Sequence, residues 1–315
     1  MTLSHCAFVF PGQGSQKVGM LAGAHAAFPA VRETFDEASA ALGMDVWSLV
    51  QEGPQEALNL TATTQPILLT ASVALWRAWR AAGGAEPALL AGHSLGEFSA
   101  LVCAGSLAFD DAVRLVRQRG EFMQTAVPLG EGGMAAIIGL DDESIDRICG
   151  EVSAAGDGEV AAVNFNSPGQ VVIAGHAAAV EQASAALKAA GAKRAMPLPV
   201  SAPFHTSLMR PAGERLAEVL ASIAIQAPAI PVVHNVHARP ESDPERIRSL
   251  LVEQIYSPVQ WTACVAYMAA QGVTQVVECG PGKVLSGLNK RIDGALQSHS
   301  LEEPTGLADT LAALA

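Results

Sequence analysis

The sequence predicts an α/β protein: a mainly parallel, helix-covered sheet domain of α/β-hydrolase-like type, interrupted by an antiparallel ferredoxin-like unit. Three observations predict it. Short apolar strands alternate with longer amphipathic helices at both ends of the chain, the pattern of a parallel sheet covered on both faces. A strand runs straight into a Gly-flanked serine turn and a buried helix. Between them the order of elements changes to β-α-β-β-α-β over about 70 residues, the ferredoxin-like signature.

In the first part, Cys6–Phe10 reads as a short buried strand ended by the turn-rich run Pro11-Gly12-Gln13-Gly14-Ser15. Two amphipathic helices are expected next. Gln65–Ala82 follows as a longer one, with Leu68, Leu69, Leu75, Trp76 and Trp79 near helical spacing. Ala88–Gly92 reads as a strand and Glu97–Cys103 as a helix. Past Val127, strands are expected at Met134–Leu140, Val160–Phe165, Gln170–Ala174 and Lys193–Leu198, with helices at Asp142–Val152 and Ala177–Ala190. From Val200 the chain rejoins the first unit, with strands at Ile230–Val236 and Gln275–Cys279. The expected division is a large domain of residues 1–127 and 199–315 and a small subdomain of 128–198, with the site in the cleft between them.

Composition narrows the function. Half of the 315 residues are hydrophobic, 16% are charged, and the net charge is −12. Such a chain buries a large core, and its acidity argues against nucleic-acid or anionic-membrane partners. No apolar run approaches the roughly 20 residues of a membrane span. The start, from Met1 to Phe10, has no basic region followed by a long apolar stretch, so a cytoplasmic protein is expected. The five cysteines, Cys6, Cys103, Cys149, Cys264 and Cys279, are scattered, and no run of the eight histidines has metal-ligand spacing. Neither a disulfide framework nor a metal site is expected, and the cysteines read as small core residues.

Gly92-His93-Ser94-Leu95-Gly96 fits the nucleophile elbow. The serine of such an elbow sits on a strained strand-to-helix turn, so residues two away must lack bulk, and its hydroxyl meets the free N–H groups of a helix start. As an ordinary turn in a Gly-rich chain the pentapeptide would mean little; its strand and helix context argue otherwise. The base must come from elsewhere. His205, in a Pro-shaped loop after the subdomain boundary, is the better candidate, although a lone histidine is more often structural. His93, adjacent to the nucleophile on extended backbone, should point away from it.

Five runs then occur in order: Phe10 to Gln16, Gly92 to Glu97, Arg114 to Gly120, Ser201 to His205 and Glu278 to Lys283. Together they resemble the malonyl-CoA:acyl-carrier-protein transacylases of bacterial fatty-acid synthesis and the acyltransferase domains of polyketide synthases, from about Ala7 to Ile292. The resemblance implies that Ser94 is acylated, that His205 is its general base, and that a backbone carbonyl, from Gln254, orients the histidine in place of an acid. It implies an oxyanion hole from the N–H groups of Gln13 and Leu95. Arg119 would pair with the free carboxylate of the malonyl group, as a planar bidentate fork does well. Arg114 and Arg117 read as a solvated face.

The same resemblance makes the segment of Asn164 and Asn166 a cleft wall. Asn166 is the candidate contact, though strand-end turns give both asparagines a structural excuse. Phe204 stands where many bacterial relatives carry Ser, which implies a tight pocket beside the acyl α-carbon. The implied reaction is ping-pong malonyl transfer, with malonyl-CoA as substrate, acyl carrier protein as partner and no cofactor. The alternatives are a malonyl acyltransferase serving a polyketide carrier and a serine thioesterase or hydrolase. An acidic enzyme needs a local positive patch to meet an acidic carrier; Lys283, Lys290 and Arg291 are the candidates, beside the plain reading of scattered solubilising charge.

Overall fold

In the computed structural model, residues 2–156, 158–200 and 202–315 are described. Met1, Asp157 and Ser201 lie outside the described residues, so the Ser201 run is seen from Ala202 onward. Strand β1 (Thr2–Phe10) opens the chain and leads to four short helices, α1 (Ala22–Ala27), α2 (Pro29–Leu42), α3 (Val46–Glu52) and α4 (Gln55–Leu58), where two were expected. The segment breaks because Phe28-Pro29 starts a new helix, Gly43 ends α2 in the left-handed region, and Asp45 caps α3 by accepting from Ser48 N–H at 2.9 Å. Helix α5 (Thr61–Ala81) starts four residues earlier than expected and is buried almost all round, as a central helix must be.

Strand β2 (Glu86–Gly92) runs into α6 (Leu95–Cys103), and α7 (Phe109–Gln124) closes this part. The small sheet comprises β3 (Gly132–Ile138), α8 (Asp142–Ala154), β4 (Val160–Ser167), β5 (Gln170–His176), α9 (Ala177–Ala189) and β6 (Arg194–Pro197). Then come α10 (Arg210–Leu220), β7 (Val232–Val233), α11 (Pro244–Glu253), α12 (Trp261–Ala270), β8 (Gln275–Glu278), α13 (Val284–Ile292), β9 (Gln297–Ser300) and α14 (Pro304–Leu314).

The large sheet has the order β7-β2-β1-β8-β9 and its pairings are parallel. Along central β1 the side chains alternate: Phe8 and Phe10 enter the core formed with Trp76, Trp79 and Phe98, while Ala7 and Val9 enter the core of Trp261 and Met268. Helices thus cover both faces, the condition for a buried parallel sheet. The seven-residue strand expected at Ile230–Val236 is corrected to two residues, because the backbone turns away after Val233 and Asn235 is used at the site instead. Strand β9 was not anticipated; its residues, Gln-Ser-His-Ser, carry no apolar alternation.

The small sheet has the antiparallel order β4-β5-β3-β6, which with its two helices is the ferredoxin-like arrangement. Along β3, Ala135 and Ile137 face its own helices while Met134 faces the large core. The two units are stitched by backbone: Phe165 N–H donates to Val259 O at 3.0 Å and Val259 N–H to Val163 O at 2.8 Å. Among the described residues, no helix is long and apolar enough to cross a membrane.

Candidate active site

The elbow is built by close backbone approach. Ser94 has φ 50° and ψ −104°, a conformation a non-glycine residue adopts only under constraint. A Cβ on Gly92 would lie 1.9 Å from the Gly96 carbonyl carbon, and one on Gly96 would lie 2.0 Å from Phe10 O. This is why both flanking positions are glycine. The Asn235 side chain fastens the turn: its Oδ1 accepts from Ser94 N–H at 2.7 Å, and its Nδ2 donates to Gly92 O at 2.7 Å. Ser94 N–H is therefore committed. Leu95 opens α6, where first-turn N–H groups lack intrahelical acceptors.

His205 is also held at positive φ, 65°, in a tight turn closed by Thr206 Oγ1 donating to Pro203 O at 2.7 Å. Its Nδ1 lies 2.8 Å from Gln254 O, the carbonyl expected, and its Nε2 lies 2.8 Å from Ser94 Oγ. A carbonyl only accepts, so Nδ1 carries the proton and Nε2 presents its lone pair to the Ser94 hydroxyl. Burial first, then the Arg119 charge, lower the imidazole pKa to about 3, against a smaller upward pull from the Gln254 carbonyl. At neutral pH it is an unprotonated base.

Arg119 faces inward on α7, only 1% exposed, while Arg114 and Arg117 sit on the solvent side and pair with Asp110 and Glu121. Gly120 permits this placement, since a Cβ there would lie 2.6 Å from Thr61 O on α5. The guanidinium donates from Nη1 to Gln65 Oε1 at 2.8 Å, and from Nη2 to Gln254 Oε1 at 2.9 Å and Ser94 Oγ at 3.2 Å. Among the described residues its Nε has no partner, and no carboxylate bonds to it directly. Burial lowers its pKa to about 10, with Glu97 pulling the other way, so it stays cationic at neutral pH.

Ser94, His205, Arg119 and Gln65 line one cavity of about 130 Å³, with Gln13, Met134, Asn164 and Phe204 among its walls. Gln13 is fixed by its Nε2 donating to Thr61 Oγ1 at 3.4 Å, and Phe204 packs at the cavity wall, 8% exposed. For the asparagines the expectation is redirected. Asn166 is not among the lining residues, but its Oδ1 meets Nε2 of His93 at 2.8 Å, and His93 does line the cavity; its Nε2 is tied to Asn166, while Ser94 Oγ meets His205. Asn164 lines the cavity, with its buried Oδ1 unpartnered among the described residues. Lys283, Lys290 and Arg291 are exposed on and before α13. Gly282 packs near Ser15, which sets Lys283 beside the loop of Gln13, whereas Arg291 hydrogen-bonds Gln170 of the small sheet.

The comparisons with known proteins agree with this geometry. Residues 7–298 match the family described as the acyl transferase domain. The chain belongs to that family. It is 62% identical over 309 residues to the malonyl CoA-acyl carrier protein transacylase of Salmonella typhimurium, covering 98% of this chain and 99% of the relative. The corresponding protein of Bacillus subtilis is 47% identical over 302 residues, 96% of this chain and 95% of that one. Among solved structures, the malonyl-CoA:acyl carrier protein transacylase of Xanthomonas oryzae superposes with TM-score 0.97 at 54% identity, covering 99% of each chain. A malonyl-transacylase solved in complex with its type II polyketide acyl-carrier protein gives 0.96 at 56% identity, over 98% and 99%.

Sequence reasoning missed Gln65, Glu97 and Asn235. Glu97 left one trace: a lone carboxylate in the otherwise apolar start of α6, within a helix that had to be buried.

Proposed function

We propose that this acyltransferase moves the malonyl group of malonyl-CoA to the phosphopantetheine thiol of acyl carrier protein through malonyl-Ser94, supplying fatty-acid synthesis in the cytoplasm. The observation that carries the reading is Arg119: a buried guanidinium bonded, among the described residues, only to neutral oxygens, in contact with the nucleophile. A carboxylated acyl group on Ser94 would supply the guanidinium with a directly bonded anion, since Arg119 Nη2 already lies 3.2 Å from Ser94 Oγ.

Each half-reaction balances on Ser94 and His205. The Ser94 Oγ–H proton passes to His205 Nε2 as Oγ attacks the thioester carbonyl. The oxyanion, held by the N–H groups of Gln13 and Leu95, collapses; the C–S bond breaks and the CoA sulfur takes the proton from His205. The carrier thiol then gives its proton to His205, attacks the ester carbonyl and releases Ser94, which recovers the proton. Gln254 O steadies the imidazolium in both passes. The scheme draws on no metal or cofactor. Phe204 closes the pocket beside the α-carbon.

Incubation with malonyl-CoA should add one malonyl mass to the protein, and Ser94→Ala should abolish the adduct. Discharge should be fast with a holo carrier and slow in water; equal rates would make the chain a hydrolase. The solved complex with a type II polyketide carrier keeps a second carrier class in view, and a panel of purified fatty-acid and polyketide carriers decides between them.

A further inference from the structure

Glu97 lies on the first turn of α6 and is fully buried, a costly place for a carboxylate unless every lone pair is used. Its Oε1 meets His234 Nδ1 at 2.7 Å, and its Oε2 accepts from Asn235 N–H at 2.9 Å and Gln254 Nε2 at 2.8 Å. The Gln254 amide therefore stands between two buried groups of opposite sign. Its oxygen receives Arg119 Nη2 at 2.9 Å, while its nitrogen donates to Glu97 and to Ser94 O at 3.0 Å. Because a guanidinium only donates and a carboxylate only accepts, the amide has one orientation.

We propose that Glu97 is a positioning residue for the carboxylate-selecting clamp: it fixes the Gln254 side chain, which in turn holds Arg119 toward the acyl cavity. The interposed amide matters chemically. A direct Glu–Arg pair would occupy the guanidinium and compete with the substrate carboxylate. One amide away, the negative charge offsets the buried cation and leaves the Arg119 fork to the incoming anion. Glu97 remains the anion that favours the charged form of Arg119. Glu97 also contacts His234 and, through Asn235, the elbow, and the Gln254 amide nitrogen reaches Ser94 O. The clamp role is told from these by acyl selectivity, because loss of elbow support would slow both acyl groups alike, while Gln254 holds His205 by its main-chain carbonyl and Arg119 by its side chain.

The proposal rests on the malonyl-transfer reading. A wild-type protein that forms no malonyl-Ser94 refutes that reading before any variant is made. The test measures acylation of Ser94 by malonyl-CoA and by acetyl-CoA in Glu97→Gln, which removes the charge at constant size. The malonyl-to-acetyl ratio of kcat/KM should fall about tenfold, through a raised KM for malonyl-CoA, with acetyl transfer falling far less. Gln254→Met, which keeps the carbonyl that holds His205, should lower the same ratio, and the double variant should fall no further than the worse single. An unchanged ratio, equal loss for both acyl groups, or additive losses would each overturn the proposal, the second by making Glu97 a support of the elbow. Should Glu97→Gln fail to fold, Glu97→Asp, too short to reach the amide, reads the same ratio with the same outcomes.

Discussion

Arg119 touches the nucleophile: its Nη2 donates to Ser94 Oγ at 3.2 Å while the same oxygen lies 2.8 Å from His205 Nε2. On the proposed reading, substrate selection and bond making are joined at one atom. A malonyl carboxylate that draws the guanidinium onto itself competes with this contact and leaves Ser94 to its base.

That junction sets the first expectation. Arg119→Ala should depress malonyl transfer by roughly 100-fold or more, since a charge-assisted bidentate pair is lost and Gln65 and Gln254 are left unpaired. Acetyl transfer should hold or rise, because no buried cation then goes unmatched. Lys should restore malonyl transfer only in part, as a point charge lacks the fork. Rapid-quench acylation with both thioesters checks this; equal losses would make Arg119 a structural residue.

His205 supplies a pH signature. With its pKa lowered to about 3, by burial and then by the Arg119 charge, it stays unprotonated far below the ordinary histidine range. The acid limb of kcat/KM for acylation should therefore lie well below about pH 6.5, the ordinary histidine value. A bound carboxylate neutralises Arg119 and removes one lowering cause, so the limb at saturating malonyl-CoA should sit higher than that of kcat/KM. The sign for folding is the same: between about pH 6.5 and about 3 the unfolded chain takes the extra proton, so this residue's share of stability falls as pH falls. A kcat/KM limb at 6.5 would contradict the buried neutral base.

Phe204 tests pocket size. Phe204→Ser or Gly opens space beside the α-carbon and should raise the methylmalonyl-to-malonyl ratio. One methyl group is worth about 1–3 kcal/mol, so the shift should reach tens-fold and no more. Competition between the two CoA esters measures it; an unchanged ratio would mean the ring faces away from the acyl chain.

The elbow glycine tests the backbone argument. Gly96→Ala would press a methyl group against Phe10 O, 2.0 Å away, and should cost about 3 kcal/mol or more, or abolish folding. Gly287 on α13 meets nothing within 4 Å, so Gly287→Ala should instead stabilise by about 0.5–1 kcal/mol. Thermal unfolding of the pair decides.

Carrier docking is tested by splitting the half-reactions. Lys283→Glu with Lys290→Glu should weaken discharge to the carrier and leave acylation by malonyl-CoA less affected, with the difference shrinking as salt rises beyond the roughly 8–10 Å Debye regime. Arg291 already bonds Gln170, so its reversal should matter less. Equal loss in both half-reactions would remove α13 from the docking face.

The fold class, the elbow and the order of the small sheet were legible because they depend on short-range rules: apolar strand before glycine turn before helix, and a β-α-β-β-α-β succession. Ser94 was legible from its turn, His205 was a candidate from its loop that the acyltransferase resemblance singled out, and Arg119 and the Gln254 carbonyl came from that resemblance. Other features belonged to the tertiary structure. The residue lining the cavity is Asn164 and not Asn166; β4 carries register shifts on either side of Asn164 and Phe165, so simple alternation, which would put both asparagines on one face, does not hold there. The four helices before α5 are divided by local caps that apolar periodicity does not display. Glu97, Gln65 and Asn235 work through hydrogen bonds spanning 54 to 157 residues of chain, as between Gln65 and Arg119 or Glu97 and Gln254. A sequence shows that a carboxylate stands in an apolar helix; only the packed structure shows which amide it must hold, because burial forces each lone pair to find a donor wherever the fold brings one.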